Sequence, residues 1–284
     1  MLEFPVSQYG TLIKQLEGVT INTLFALSVL ENHVRGKVFV DSLIKPSTFY
    51  VSHPYGMSLL FGKSTNHSFN ANLKVYLENK SGKRKKVEWL QVFPLREWEA
   101  VLANLLGDTL VTHPHDECSD TAKILCYKRI NFQFSKESYY AKKPHYSMSS
   151  CRIEKTSREL FERMNGSVVP KYFWNSVEEF EAKGIGFSLM DSHGVLLATA
   201  FASFVVGNKL ELGIETNENY RGKGYAYAVS ARLIDFCLEH AFEPIWACSS
   251  INLGSQKLAE KLGFHIVKEI PYYKLPFQTV AEER

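Results

Sequence analysis

The chain has 284 residues, of which 45% are hydrophobic and 22% are charged, and its formal net charge at pH 7 is +3. These values are ordinary for a globular protein, and the length leaves room for two domains that each bury a core. The small net charge argues against a nucleic-acid partner. The longest apolar run, Val195 to Val206, has about 12 residues against the roughly 20 of a membrane-spanning helix, so no membrane partner is predicted.

The N-terminus and the cysteines indicate the compartment. Residues 1–10 contain Glu3 and Pro5 and lack the basic-then-apolar pattern of a signal peptide. The five cysteines are an odd number without CxxC spacing, which favours reduced thiols. We therefore predict a cytoplasmic protein.

The first half of the chain predicts an independent α/β domain over residues 1–144. Residues 7–34 read as one or two helices, with Thr20 as a cap. Apolar patterning then predicts three strands, two helices and a further strand, in this order: Lys37–Val40, Thr48–Ser52, Met57–Phe61, Asn70–Leu77, Leu95–Leu106 and Ile124–Phe134. A degenerate relative of the C-terminal domain is an open alternative for this half, although no internal motif repeat supports it.

Two polar stretches in this half invite a functional interpretation that we do not adopt. The basic stretch Lys80–Lys86 is predicted to be a solvated hairpin tip. His113, His115, Asp116 and Cys118 lack a recognised zinc spacing and are predicted to form a polar loop, so no metal site is expected.

The segment from Tyr139 to Ser150 is rich in Lys, Ser, Pro and Tyr and is predicted to be a linker to a second domain, residues 145–284. Periodicity in that domain predicts, in order, a strand, two helices, three strands, a helix, a strand and a helix. Their predicted ranges are Arg152–Lys155, Ser157–Met164, Ser176–Lys183, Ile185–Met190, Leu196–Val206, Lys209–Thr216, Tyr225–Ala241, Ile245–Ser249 and Ser255–Leu262.

A basic, glycine-containing turn, Tyr220–Ala226, lies between the strand ending at Thr216 and the helix beginning at Tyr225. The first turn of a helix has backbone N–H groups without intrahelical partners, and the helix dipole adds partial positive charge there. Gly222 and Gly224 allow positive φ and close approach of a ligand, while Arg221 and Lys223 add charge. The turn is therefore suited to a pyrophosphate.

Two better-known phosphate-binding motifs do not fit this turn. A P-loop requires Ser or Thr after its lysine, but Lys223 is followed by Gly224. A Rossmann fingerprint requires a third glycine, but this chain has Tyr227 at that position. It also requires an acidic residue that ends the next strand, whereas the nearby acid Glu243 precedes the predicted strand Ile245–Ser249.

What matches is the pattern R-x-x-G-x-A, formed by Arg221, Gly224 and Ala226. It resembles the acyl-CoA pyrophosphate loop of the GCN5-related N-acetyltransferases, the GNAT superfamily. The resemblance continues through a second segment similar to the family's N-x-x-[AS]-x-x-L-Y-x-K-x-G-F, made by Asn252, Ser255, Leu258, Lys261, Gly263 and Phe264. The run Phe173–Ser176 further resembles a two-part subgroup related to zwittermicin-resistance enzymes. The resemblance implies a mixed-sheet α/β acetyltransferase fold for the C-terminal domain.

The resemblance also implies acetyl-CoA as cofactor and identifies candidate binding residues. Those of the turn are Arg221, Gly222, Lys223, Gly224, Tyr225 and Ala226, and the backbone of Ile214, Glu215 and Thr216 is expected to hold the pantetheine arm where the strand parts from its neighbour. Asn252 and Ser255 are expected to contact the arm or to order the helix that follows.

The catalytic candidates are Glu211, Glu215 and Ser255. A protonated amine cannot attack a thioester, so a carboxylate is needed as base, and family members use a glutamate on this strand. We favour Glu211, with Glu215 second; the alternative is that both are surface carboxylates. Ala259 replaces the tyrosine that often protonates the thiolate, so either Ser255 substitutes for it or the thiolate leaves unaided.

The predicted function is acetyl transfer from acetyl-CoA to a primary amine of a small molecule. A protein amine is the nearest alternative, a non-catalytic acyl-CoA sensor is the second, and a scaffold is the third. Four aromatic residues could line the acceptor pocket but are more often found in a core: Tyr172, Phe173, Trp174 and Trp246. The acceptor, the acyl length and the oligomeric state are left open.

Overall fold

The computed structural model describes residues 1–80, 82, 84–114, 122–142 and 151–277. The chain divides into two compact units. The first contains residues 1–130, 249–251 and the segment from Glu269 onward, and the second contains residues 131–248 and 252–268. The predicted boundary at 144/145 lies outside the described residues, so it stays a prediction. Of the predicted linker, Tyr139 to Lys142 form the end of a helix.

The first unit contains most of the elements expected from its sequence. Its strands are β1 (Leu2–Glu3), β2 (Lys37–Val40), β3 (Thr48–Ser52), β4 (Met57–Gly62), β5 (Glu88–Phe93), β6 (Leu110–Val111) and β7 (Ile124–Phe134, with its last residues in the second unit). Its helices are α1 (Leu24–Leu30), α2 (His67–Leu77) and α3 (Leu95–Leu106), with a 3₁₀ segment at Val6–Leu16.

The strands β1 to β4 form an antiparallel meander, and β5 then pairs parallel with β4. The core against α2 and α3 is apolar and includes Leu60, Leu73, Leu90 and Trp98. Residues 273–275, near the C-terminus, pair antiparallel with β5.

Three expectations for this unit were wrong in detail: the list of strands, the cap of α1 and the hairpin tip at Lys80–Lys86. Strand β5 was not predicted, because its polar Glu88 and Gln91 interrupt the apolar pattern. Helix α1 has Thr23 rather than Thr20 at its N-cap position, and the Asn22 side chain accepts the N–H of Leu24.

The stretch Lys80–Lys86 connects a helix to a strand and is not a hairpin tip; Ser81 and Lys83 within it lie outside the described residues. Arg84 is buried, and its guanidinium donates to the carbonyls of Tyr76 and Leu77, the last two residues of α2. Carbonyls at the end of a helix lack intrahelical donors, and a cation can supply them.

A buried carboxylate joins three elements of the first unit. Glu88 accepts hydrogen bonds from the phenols of Tyr50 and Tyr76, the latter at 3.0 Å, and from Ser52 at 3.4 Å. Burial, followed by the nearby charge of Glu88, raises the pKa of both phenols, so they remain protonated donors. A carboxylate can be buried at acceptable cost only when its oxygens receive such bonds.

The second unit follows the predicted order. Its elements are α4 (Lys136–Lys142), β8 (Cys151–Lys155), α5 (Arg158–Arg163), α6 (Val177–Lys183), β9 (Gly186–Asp191), β10 (Leu196–Val206), β11 (Lys209–Thr216), α7 (Tyr225–Glu239), β12 (Glu243–Ser249), α8 (Leu253–Lys261) and the first part of β13 (Phe264–Leu275). Two elements were not among the predicted ones: helix α4, and strand β13, of which only the first residue, Phe264, belongs to the segment that resembles the family.

In this unit β8, β9, β10 and β11 pair antiparallel in sequence order, and β12 pairs parallel with β11. Helix α7 packs on one face, where the ring of Phe236 contacts Phe187 of β9. The opposite face carries Phe201 and Phe204 of β10, and Phe173 packs edge-on against both rings.

The two units repeat one order of elements. In each, two antiparallel strands lead through a helix to a strand parallel to the second, and a further helix and strand follow: β3–β4–α2–β5–α3–β7 and β10–β11–α7–β12–α8–β13. The order of elements therefore agrees with the expectation that the N-terminal half is a degenerate copy.

Two other kinds of site are absent from the described part of the chain. No helix there has both the length and the apolar character to cross a bilayer, and no group of three His, Cys, Asp or Glu side chains there is arranged to hold a metal. His115, Asp116 and Cys118 lie outside the described residues.

Replacing Tyr76 by Phe should lower the free energy of unfolding by about 1 to 3 kcal/mol, because it removes one donor from the buried Glu88 carboxylate. Urea denaturation followed by circular dichroism measures the change. Tyr140→Phe is the matched control, since Tyr140 is 52% exposed and should tolerate the change. Equal midpoints for the two variants would contradict a stabilising role for this cluster.

Candidate active site

The pairing between β11 and β12 ends early, which opens a gap in the second unit. The parallel register joins Lys209, Leu210 and Glu211 to Glu243, Pro244 and Ile245, and no further pair between these two strands is present in the described residues. On its other edge β11 stays paired with β10 up to Thr216. Residues 212–216, which include the predicted arm-binding residues Ile214, Glu215 and Thr216, therefore form no described strand pair with β12.

The glycine turn lies at the end of β11, where the sequence predicted it. Gly222 and Gly224 have φ of +79° and +83°, a region that side chains with a Cβ rarely adopt. Gly224 is the N-cap of α7, and the first bond that closes a helical turn runs from Ala228 N–H to Gly224 O at 3.2 Å. The backbone N–H groups of Tyr225 and Ala226 belong to the first helical turn, which lacks intrahelical acceptors.

The charges of the turn face solvent. Arg221 and Lys223 are exposed; Arg221 donates to the Thr216 carbonyl at 3.4 Å, and the Lys223 ammonium lies 5.1 Å from the centre of the Tyr220 ring. Two cations beside an open helix N-terminus form a geometry that binds phosphate groups.

Glu211 is buried, at 4% exposure, and not on a solvated face. The strand Lys209–Thr216 has the predicted bounds, but both of its faces are buried over residues 210–213, so the surface-carboxylate alternative is wrong for Glu211. Opposite Glu211, the register of β10 shifts between Ala202 and Phe204 and leaves Ser203 as an extra residue. The bulge pairs Phe204 with Glu211, and the Ser203 hydroxyl donates to the Glu211 carbonyl at 2.9 Å.

Glu215 lies on the same face of β11 as Glu211, because β11 itself has no bulge. One of its oxygens, Oε2, accepts the N–H groups of Ser167 and Val168, both at 2.8 Å, and the Ser167 hydroxyl at 3.3 Å. The other, Oε1, lies 3.8 Å from the Arg221 guanidinium. Sequence reasoning missed the loop that supplies these donors, for which the only local signal was the turn-forming pair Asn165 and Gly166.

The start of α8 places Ser255 through two bonds. Asn252 accepts the Ser255 N–H at 3.0 Å, which confirms its predicted role as N-cap. The indole N–H of Trp246 donates to the Ser255 hydroxyl oxygen at 3.1 Å. Because that oxygen is the acceptor, the hydroxyl proton remains to be donated elsewhere. Ala259 is fully buried within α8.

The four aromatic candidates divide into core and surface. Phe173, Trp174 and Trp246 are buried, and the indole of Trp174 donates to the Ala202 carbonyl at 2.8 Å. Tyr172 is 46% exposed. Packing and hydrogen bonding account for the first three, as the core interpretation predicts.

The corresponding place in the first unit is closed. There β4 and β5 pair over five consecutive residues, from Met57 with Trp89 to Phe61 with Phe93. The N-terminus of α2 is capped by Asn66, whose amide donates to the Asp41 carboxylate at 3.3 Å.

Asp41 gives that end of α2 a negative charge. Burial alone raises the pKa of Asp41, but hydrogen bonds from Ser47, Thr48 and Asn66 outweigh it and lower the pKa on balance. A side-chain cap and a carboxylate at this end of the helix disfavour a phosphate.

Several known proteins are similar to this chain in sequence or in fold. The chain is 29% identical over 255 residues to a Bacillus subtilis protein named uncharacterized N-acetyltransferase YdfB, covering 88% of this chain and 89% of the relative. Its fold is similar to that of a GCN5-related N-acetyltransferase-like protein from Streptococcus suis, with a TM-score of 0.68, 21% identity and coverage of 95% and 99% of the two chains. A tandem GNAT protein from the clavulanic acid biosynthesis pathway gives a TM-score of 0.57 at 11% identity, with coverage of 96% and 95%.

The model of one protein family, the GNAT acetyltransferases, matches residues 16–273 and so spans both units. With the parted strands, the glycine turn and the shared order of elements, this match leads to one conclusion: the chain belongs to the GNAT acetyltransferase family.

Proposed function

We propose that the second unit transfers an acetyl group from acetyl-CoA to a primary amine of a small molecule. The observation that carries the proposal is the loss of pairing between β11 and β12 after Glu211 and Ile245. The unpaired part of β11 leads to a glycine turn that carries two exposed cations. The residues present fit a CoA ester. Its pyrophosphate matches the N–H groups and cations of the turn, and its amide-containing arm matches the unpaired edge of residues 212–216.

When bound, the thioester supplies an activated acetyl group, and the protein's task is to position the two reactants and to move protons. The edge of β11 and the turn at Arg221–Ala226 would hold the ester, so that the amine attacks from a fixed position. Such positioning supplies a large part of the rate enhancement, and no covalent enzyme intermediate is required.

Glu211 is the proposed base. It is buried, it pairs with Ile245, the last paired residue of β12, and its cross-strand partner on β10 is Phe204. A carboxylate there would take the proton from the amine directly or through water.

Ser255 is the proposed acid for the thiolate. The indole of Trp246 fixes the hydroxyl oxygen, and the hydroxyl proton remains available to the departing sulfur. This assignment accounts for Ala259 at the position where the family often has a tyrosine.

A non-catalytic acyl-CoA sensor is the second candidate, favoured by the same buried Ala259. It shares the binding turn with the enzyme and differs in having no turnover. A protein amine as acceptor is the alternative within the enzyme reading, and an acceptor screen should therefore contain peptides as well as polyamines and amino sugars.

Acetyl-CoA should raise the thermal stability of the purified protein, and Arg221→Glu should abolish the shift. A ligand at a hundred times its dissociation constant stabilises the folded state by about 2.7 kcal/mol, which a thermal-shift assay detects. Arg232→Glu, a charge reversal on α7 beyond its first turn, serves as control and should keep the shift. A folded wild-type protein with no shift would exclude both the enzyme and the sensor.

Glu211→Gln should lower kcat by about 100- to 10,000-fold while acetyl-CoA binding is retained, because the amide cannot accept the proton of the amine. Thiol release and the thermal shift measure the two effects. Glu239→Gln, an exposed carboxylate in the last turn of α7, should leave kcat unchanged. A Glu211→Gln enzyme with wild-type kcat would remove Glu211 from the mechanism.

Ser255→Ala should lower kcat by about 10- to 100-fold, less than the usual range for acid catalysis because a thiolate is already a good leaving group. Ser255→Thr keeps the hydroxyl and should restore most of the rate. The Asn252 cap survives in both variants because it uses the backbone N–H of residue 255. Equal rates for Ala and wild type would mean that the thiolate leaves without Ser255.

A further inference from the structure

The loop between α5 and the 3₁₀ turn at Pro170–Tyr172 is attached to the sheet at three points. Its two ends, Met164 and Val169, are buried in a small apolar cluster with Leu160 and Met190. Between them the exposed Ser167 is bonded to Glu215 of β11. A loop so attached has a defined position on the surface of the sheet.

The carboxylate of Glu215 is engaged mainly by this loop. Three donors converge on its Oε2, two of them backbone N–H groups at 2.8 Å, and its side chain is only 13% exposed. A base needs an oxygen lone pair that is free to take a proton. Oε2 has its acceptor capacity used by Ser167 and Val168, which are about 48 residues away along the chain, so only Oε1, which faces the Arg221 guanidinium, is left to take a proton.

Gly166 makes this contact sterically feasible. A Cβ built on Gly166 would lie 2.6 Å from Glu215 Cγ and Oε2, closer than real Cβ atoms approach. Its φ of +148° is also one that residues with a Cβ rarely adopt. Only glycine allows the backbone to pass so close to the carboxylate.

The loop lies on the face of β11 that carries Glu211, the base in the proposed function. Residues 211 and 215 point to the same face, and the opposite face, with Ile214, is covered by α7. The carboxylate of Glu215 also faces the Arg221 guanidinium of the glycine turn at 3.8 Å. Glu215 therefore connects the loop on the amine side with the turn on the cofactor side.

We propose that Glu215 is a positioning residue that, together with Gly166, holds the loop Asn165–Val168 in place beside the acceptor path. This assignment differs from a role as second base. It rests on the proposed function as far as the acceptor is concerned, whereas the attachment of the loop is independent of any activity.

The test compares Glu215→Ala with Glu215→Gln. Gln keeps an acceptor oxygen for the Ser167 and Val168 N–H groups, so the acceptor KM should rise less in this variant than in Ala. Ala removes the acceptor, so the acceptor KM should rise about tenfold, equivalent to the loss of one hydrogen bond to a charged group, while kcat and the KM for acetyl-CoA change little. A base would show the opposite pattern, with Gln as damaging as Ala and the loss in kcat.

Hydrogen–deuterium exchange provides a readout that needs no acceptor. The amides of Ser167 and Val168 should exchange at least about tenfold faster in Glu215→Ala than in wild type or Glu215→Gln, since they lose their acceptor. Gly166→Ala leaves Glu215 in the chain but displaces its carboxylate, and it should reproduce the faster exchange. Gly194→Ala is the matched control: it also has positive φ, but its added methyl meets open space, so exchange in the loop should not change.

Unchanged exchange in Glu215→Ala, in protein that keeps its thermal transition, would overturn the proposal. Loss of turnover in Glu215→Gln to the level of Glu211→Gln would likewise overturn it and make Glu215 a base. If the protein proves inactive on every amine, faster exchange in Glu215→Ala would still establish the loop attachment, so the two hypotheses fail separately.

Discussion

The parting of β11 from β12 after three paired residues is the constraint on which the second unit depends. Parallel strands that stay paired satisfy each other's backbone groups, whereas strands that separate leave N–H and C=O groups to be satisfied by a ligand or by water. The glycine turn follows on β11, so its N–H groups and cations lie at the end of the same unpaired edge. An unpaired strand edge and a cationic glycine turn thus lie next to each other on one strand, and this juxtaposition underlies the proposed cofactor site.

The first unit demonstrates how little of this comes from the order of elements alone. It has the same succession of strands and helices, yet β4 and β5 remain paired over five residues. Its helix α2 begins at a capped asparagine beside the Asp41 carboxylate, where a phosphate would meet negative charge. Function lies in the site and not in the fold, and the two units of this chain illustrate the difference.

Two glutamates four residues apart on one strand have different surroundings, and these separate their proposed roles. Glu211 is buried, and a bulge in β10 at Ser203 makes Phe204 its cross-strand partner. At Glu215 a remote loop supplies three donors to one oxygen. The second environment suits a group that holds backbone in place, which is why the role of base is proposed for Glu211 and the role of positioning residue for Glu215.

The sequence by itself determined the local features. The bounds of β10 and β11, the cap at Asn252 and the positive φ of Gly222 and Gly224 follow from apolar patterning, from capping chemistry and from the conformational freedom of glycine, all of which act within a few residues. Only the tertiary structure decided the burial of Glu211, the engagement of Glu215 by Ser167 and the existence of β5, whose Glu88 is stabilised by the phenols of Tyr50 and Tyr76. Each of these depends on partners from other elements of the chain, and no local pattern specifies which partner a polar side chain will meet.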